Sequence, residues 1–449
     1  MKKRIIMLMA AALALLSVRG QVEFSGWTDN KKPIEITLSD SHTTLNKIYV
    51  VYDVQGLKMS YTASTGENVA WKRYDANTWR EPVAITDITH AGNVTTLNEV
   101  YPDMGYVITE GNTPFYCWVV NYADHYLELN DLFYNYEGSC NELTLNVDGQ
   151  GGPIYYYNID GERKILDRNI KLSYKTQVWN ETDSVWNKQT IDTCFAALVP
   201  NIEIEAPFCN TDIKISGDDF LEAWHIGTEA EIINFQTKAV SCRALLEQII
   251  RDNDNEKKME NGWGGSAPVN IIFTGLPTEA VVYREWEMAT DPEFEDVILS
   301  YNQDVVDYTF YDYGTYYMRY TVANDDGTCP FYSDVFTIVV NESDLQCPNF
   351  FSPGSTEGVN DIWKVSYKSL VEFHCWIYNR WGNLVYEFTD PGDGWDGTYR
   401  GKPVGTGVYY YVIKATGSDG VKYSPRGAIS ILNYTGHGDG TNTNVDPGN

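Results

Sequence analysis

The stretch FHCWIYNRWGNLVYEF runs from Phe373 to Phe388. Read with the two residues before it, it alternates cleanly. Val371, Phe373, Cys375 and Ile377 fall on one side, and Glu372, His374, Trp376 and Tyr378 on the other. A period of two belongs to a strand, whose successive side chains point to opposite faces. The first set is the expected core face. Leu384–Phe388 then returns antiparallel, so Asn379 to Asn383 is the connection, and Gly382 supplies the permissive backbone of a tight turn. Arg380 and Trp381 therefore stand at one pole of a β-sandwich. Arg and Trp are the side chains most often found at binding hot spots. Equally, Trp381 is a residue that would fold back to cap the core with Arg380 stacked on it. Trp395, in GWDG (Gly394–Gly397), has the same two readings beside an Asp396-Gly397 turn.

The same grammar fills the rest of the chain. IEITLSD (Ile34–Asp40), NKIYVVYDV (Asn46–Val54), YVIT (Tyr106–Thr109) and FYCWVVNY (Phe115–Tyr122) are short β-branched and aromatic runs separated by Gly, Asn and Asp. Aromatic residues make up 14% of the 449 positions, with 33 Tyr. The expected class is all-β, a string of Ig-like antiparallel β-sandwich domains. The one stretch that tempts a helical reading is AVSCRALLEQIIRDN (Ala239–Asn253), with Leu245, Ile249 and Ile250 and no Gly or Pro; it reads equally as a strand running into a loop. Expected divisions are a signal peptide (1–20), β domains over 21–110 and 111–200 (the latter Tyr-rich), a small β-rich unit with linker (201–264), sandwiches over 265–345 and 346–434, and a disordered polar tail (435–449). RDNDNEKKMENGWGGSAP (Arg251–Pro268) reads as a solvated linker, since it lacks the regular oxygen-ligand spacing of a calcium loop.

MKKRIIMLMAAALALLSVRGQ, with a basic start, a short apolar run and small Gly20 before Gln21, has the form of a cleaved signal peptide. No Cys lies near the cut to carry a lipid, and no later stretch is long and apolar enough to cross a membrane as a helix. With 62 acidic against 33 basic residues the net charge is −29, a field that repels nucleic acid and anionic lipid. The eight Cys are even in number in an exported chain, which favours disulfides. About a hundred connectivities are open; near neighbours suggest Cys117 with Cys140, Cys209 with Cys242 and Cys347 with Cys375, leaving Cys194 with Cys329. A Cys347–Cys375 bridge would pin the start of the last domain to its core, a stabilisation of about 2–4 kcal/mol.

Nothing in the sequence points to catalysis or to a cofactor or metal. Six scattered His (His42, His90, His125, His225, His374 and His437) show no metal-ligand spacing. There is no GxSxG elbow or phosphate loop, and Gly262-Trp-Gly-Gly265 is a lone Gly-rich turn. Tyr155-Tyr156-Tyr157, Trp179 and Trp186 offer rings on which a glycan would stack, or ordinary strand-face packing.

Two resemblances organise the second half. GSAPVNIIFTG (Gly265–Gly275), Tyr283-Arg-Glu-Trp286, VDYTFYDYGTYYMRYTVAN (Val306–Asn324) and DVFTIVV (Asp334–Val340) together resemble a polycystic-kidney-disease-type Ig-like domain, without the Gly-Asp-Gly turn usual after the Trp. From Cys347 to Tyr434, CPNFFSPGSTEGVNDIWKV, the opening stretch, GWDGTYRGKPVGTGVYYYVIKATG and RGAISILNY resemble, in order and spacing, the gliding-motility-associated C-terminal domain of Bacteroidetes, the type B sorting domain of type IX secretion. Gly354-Ser355-Thr356-Glu357-Gly358 replaces the family's Asn-Gly-Asp-Gly loop, and a polar tail follows the domain. The resemblance implies inner-membrane export through the signal peptide, then passage through the type IX translocon. It also implies retention at the extracellular face of the outer membrane by a PorP/SprF-like β-barrel. Under it Asn379, Arg380, Trp381, Gly382 and Trp395 become candidates for partner recognition. The expected role is a non-enzymatic surface protein. The alternatives are an accessory part of the secretion and gliding machinery, a glycan-binding adhesin and, least favoured, a hydrolase.

Overall fold

The computed structural model describes residues 20–432 apart from 29, 39–44, 65–67, 137–139, 259–260 and 356–357. The expected signal peptide and polar tail lie outside these. The described chain is built of mainly antiparallel sheets with one short α-helix, Asp219–Ala223, as expected from the β-branched and aromatic runs. No helix among the described residues is long and apolar enough to cross a membrane. Two compact units divide it, one of residues 1–178 and 188–237 and the other of 179–187 and 238–449.

The first unit holds two sandwiches. In the first, a four-stranded sheet with outer strands Gln21–Ser25 and Ile88–Ala91 accompanies a six-stranded one. Tyr49, Met59, Trp71, Tyr106, Ile108 and Val119 are buried in its core. Thr113–Asn121 pairs parallel with Lys47–Val51 and antiparallel with Met104–Glu110. A hairpin in mid-sheet cannot be a domain border, so the sandwich runs past residue 110 to the turn at Tyr122–His125. The second sandwich contains Glu128–Asn135, Glu142–Gln150 and Asn201–Glu205 in one sheet and Val185–Phe195, Ile170–Asn180, Thr211–Ser216 and Glu229–Phe235 in the other, residues 179–187 at the tip of its long hairpin grouping with the second unit. Asn201–Glu205 is therefore the completing strand of this sandwich, and no separate small unit begins there.

The second unit also holds two sandwiches. Cys242–Ile249 opens the third, paired over its whole length with Val269–Pro277. This settles the ambiguous stretch as a strand: Leu245 and Ile249, spaced like one face of a helix, both stand 40% or more exposed. Hydrogen-bond pairing to a neighbour overrode helical propensity. Trp286 is fully buried between Phe273 and Tyr320, at ring distances of 5.4 and 5.1 Å. Trp263–Gly265, the expected Gly-rich turn, is a strand paired parallel with Phe336–Val340.

The terminal sandwich is built on a sheet ordered Phe350–Phe351, Arg426–Ile431, Gly407–Gly417, Leu370–Tyr378, Leu384–Phe388, with Lys422–Tyr423 paired beside Gly407–Gly417. Phe373, Cys375 and Ile377 face its core as the alternation requires. Val371 does not: a register shift between Leu370 and Glu372 turns Leu370 inward in its place. That is the effect of a β-bulge, which inserts one residue and breaks the period.

The cysteines correct the proximity pairings. Cys140 and Cys329 are disulfide-bonded. Cys117, Cys194, Cys242, Cys347 and Cys375 carry free thiols. The Cys209 and Cys242 sulfurs lie 3.7 and 3.8 Å from the carbonyls of Lys175 and Tyr320. Burial pushes the Cys347 and Cys375 thiols up, and at Cys375 the nearby Cys347 adds to the rise. Cys347 and Cys375 do come close as expected, without a bond between them; for the other pairings strand pairing, not chain separation, decides which side chains meet.

Candidate recognition surface on the terminal sandwich

The Asn379–Asn383 turn is held from within. Asn379 is buried, and its Oδ1 accepts hydrogen bonds from the backbone N–H of Trp381 (3.0 Å) and Asn383 (2.9 Å). The Asn379 carbonyl accepts from Gly382 N–H, and the Asn383 carbonyl from Asn379 N–H, each at 3.0 Å. Gly382 has φ of +83° and open space where a Cβ would stand, so it is conformation rather than crowding that requires glycine. In this short turn the types of Asn379 and Gly382 are explained by their roles in holding the backbone.

Out of this frame projects a stacked pair. The Arg380 guanidinium carbon sits 4.1 Å from the centre of the Trp381 ring. Trp381 remains 49% exposed and does not fold back on the core. Leu384, just after the turn, is exposed too. A cation–π contact at an exposed site is worth about 0.5–1 kcal/mol, enough to bias the two side chains toward one joint geometry. The pole thus presents a flat aromatic face, a planar cation and an apolar neighbour.

Trp395 behaves in the opposite way. It is fully buried, donates its indole N–H to the Thr398 carbonyl at 2.9 Å, and exchanges backbone hydrogen bonds with Trp363 at 2.8 and 3.0 Å. Its ring packs on Tyr409 and Phe351 at 5.1 and 5.5 Å. It is a core residue and leaves the recognition set, because the pairing with Trp363 draws it inward. Asp396 does form the expected turn, accepting from Thr398 N–H and Oγ1.

Sequence reasoning missed the breadth of the outer sheet face. His374 and Trp376 stack at 3.8 Å and 22°. Tyr378 lies opposite Tyr410, and Trp376 opposite Val412. Tyr410 is 48% exposed. The signal was present in GVYYYVIKATG: Tyr409 and Tyr411 turn inward, so Tyr410 must turn out.

Elsewhere the candidate residues are absorbed by structure. Asp361 accepts from Gly354 N–H (2.9 Å) and Gly358 N–H (2.7 Å), so the loop in place of Asn-Gly-Asp-Gly uses its carboxylate to satisfy backbone. Among the described residues no group of three or more His, Cys, Asp and Glu is placed to hold a metal ion. Tyr156 is buried and Tyr155 lies under Arg163. Trp179 and Trp186 pack edge to face at 5.4 Å, and the Trp186 indole donates to the Leu276 carbonyl at 2.9 Å.

Residues 345–431 match the CHU_C type IX secretion signal domain. The match covers the terminal sandwich, from inside the Asp344–Gln346 strand to the end of Arg426–Ile431. Residues 133–232 match a fibronectin type III domain, which is the second sandwich. No curated protein matches the chain. Among solved structures, a tetra-tandem repeat from the extending region of a large adhesion protein is 12% identical, covering 85% of this chain and 97% of its own at a TM-score of 0.23. The FN1–FN3 domains of chicken CNTN1 are 10% identical, covering 68% and 99% at 0.23. Dimeric latent PorU from Porphyromonas gingivalis is 11% identical, covering 71% and 35% at 0.16. By its sheets and the two family matches, the described chain is a string of β domains with a secretion-signal domain as the last of them. That domain marks it as an exported protein, secreted or at the cell surface.

Proposed function

We propose that the protein is a non-enzymatic cargo of the type IX secretion system. Its secretion-signal domain is what the translocon reads and what a PorP/SprF-like outer-membrane β-barrel holds at the extracellular face. The upstream sandwiches, with the third as a polycystic-kidney-disease-type spacer, form the displayed portion. The supporting observation is the Arg380–Trp381 pair: an exposed aromatic and a planar cation, fixed by the buried Asn379 amide on a domain matched as an export signal. An exposed Trp with a planar cation stacked on it is the kind of pair that anchors interfaces.

The test is the full chain carrying Arg380→Ala and Trp381→Ala, expressed in its native host. Melting should move by no more than a few degrees, while surface display falls and protein accumulates in the periplasm. Pull-down from outer membrane should recover a β-barrel with the native chain and lose it with the variant. Normal display of the double variant would overturn the turn's role. Normal display of a chain lacking residues 345–432 would overturn the cargo reading itself.

A further inference from the structure

Residues 253–257, inside the segment expected to be a solvated linker, are instead laid along the secretion-signal domain. The Asn255 carbonyl accepts from Tyr367 N–H at 3.1 Å, and Lys257 N–H donates to the Tyr367 carbonyl at 2.9 Å. Glu256 and Tyr367 are thereby bridged in parallel register. On its other side Ser366–Lys368 pairs antiparallel with Asp344–Gln346. Residues 255–257 thus bridge the side of Ser366–Lys368 away from Asp344–Gln346, an edge that would otherwise present unpaired backbone groups.

Side chains fix the register. Asn255 Nδ2 donates to two carbonyls from separate parts of the domain, Val365 (2.8 Å) and Pro391 (2.7 Å). Asn253 Nδ2 donates to the hydroxyl of Tyr367, itself 2% exposed, at 2.8 Å. A Cβ on Gly392 would come within 2.6 Å of the Asn253 amide, so glycine leaves room for the strap where it crosses the domain. Asp254 pairs with Lys364 at 2.6 Å, and Lys257 pairs with Asp344. Farther along, Ser266 Oγ accepts from Ser369 N–H at 2.7 Å, and Ala267 N–H donates to Ser369 Oγ at 3.1 Å, with Ser369 fully buried.

We infer that residues 253–257 are a strand of the secretion-signal sandwich itself, donated from upstream, and that the structure read by the export machine begins at this strap rather than at residue 345. The inference rests on the cargo reading for its export clause only; the strand clause stands on geometry.

Asn255→Asp tests it in the full chain. The change is isosteric but turns a donor into an anion facing two carbonyl oxygens. Gly392→Val, which pushes the strap off from the domain side, is the second variant. Amide exchange at Tyr367 and Lys257 should quicken at least tenfold in both, with protection in the first and second sandwiches unchanged, and surface display should fall. Unchanged protection at these amides overturns the strand. Lost protection with normal display overturns the export clause. Arg380→Ala with Trp381→Ala should leave the same amides protected, so if display survives that pair but fails with Asn255→Asp, the turn is excluded and the strap stands.

Discussion

Two tryptophans beside glycines in turn-like sequence have opposite fates, and the difference sets what each mutation does. Trp381 stacks on Arg380 and is half exposed, so Trp381→Ala should change stability by no more than about 1 kcal/mol. Trp395 fills the core between Tyr409 and Phe351, so Trp395→Ala should cost about 3–5 kcal/mol, read as a large drop in the denaturant midpoint of the second unit. Asn379 lies between these extremes. Removing its amide leaves the N–H groups of Trp381 and Asn383 without their acceptor, and Asn379→Ala should cost about 1–3 kcal/mol. The sequence placed Arg380, Trp381 and Gly382 correctly in a turn because that turn is local: alternation before it, alternation after it, and one glycine with positive φ. It could not sort Trp395, because the backbone pairing with Trp363 that buries it is non-local.

At the scale of elements, periodicity was readable and its interruptions were not. The Leu370–Tyr378 strand followed its alternation except at the bulge that displaces Val371, and a bulge is set by the partner strand's register rather than by the residues it shifts. Cys242–Ile249 carried helical and extended signals together, and the partner Val269–Pro277 decided between them. The strap was illegible for a related reason: its Asn and Asp residues look like loop because their partners, Tyr367, Val365 and Pro391, are far along the chain. Its ion pairs make it sensitive to acid. Hydrogen bonding to Lys364 holds Asp254 below the usual carboxylate value of 3.8, and bonding to Lys257 does the same for Asp344. A carboxylate lowered by folding contributes stability that is complete above its unfolded value and is lost as pH falls through the folded one. The strap should therefore hold from neutral pH down to about 4 and loosen below that, the more readily at high salt. Both pairs are partly exposed, so the loss should be under about 1 kcal/mol. NMR shifts of the Tyr367 and Lys257 amides followed through acid would show it, and shifts that stay flat below the ordinary carboxylate range would refute it.

At the scale of the first unit, a string of beads is the wrong picture, because the first and second sandwiches share a buried charge. Tyr122 directly follows the Thr113–Asn121 strand, whereas Arg168 and Asp218 belong to the second sandwich, and all three side chains are shut off from solvent. Asp218 accepts from Arg168 Nε at 2.8 Å, from the Tyr122 hydroxyl at 2.9 Å and from Leu221 N–H at 3.0 Å, which also caps the short helix. Arg168 uses its remaining nitrogens on the Gly152 carbonyl and the Tyr122 oxygen. Beside it the Trp224 indole donates to the Lys32 carbonyl at 2.8 Å. Composition could not show this, since one Arg and one Asp among so many charges carry no mark of burial. Such a cluster is stable only while complete: its charges have given up water and are compensated by each other. Asp218→Ala would strand a guanidinium in the interior, and the first unit should lose about 3–5 kcal/mol. Replacing Arg168, Asp218 and Tyr122 together with apolar residues of similar volume should cost far less, since no charge is then left unpaired. Differential scanning calorimetry with hydrogen exchange would separate the cases. The single change should melt the first two sandwiches early and leave protection in the third and the secretion-signal domain intact. Equal losses from the single and the triple replacement would mean that packing volume, and not the uncompensated charge, is what the junction depends on.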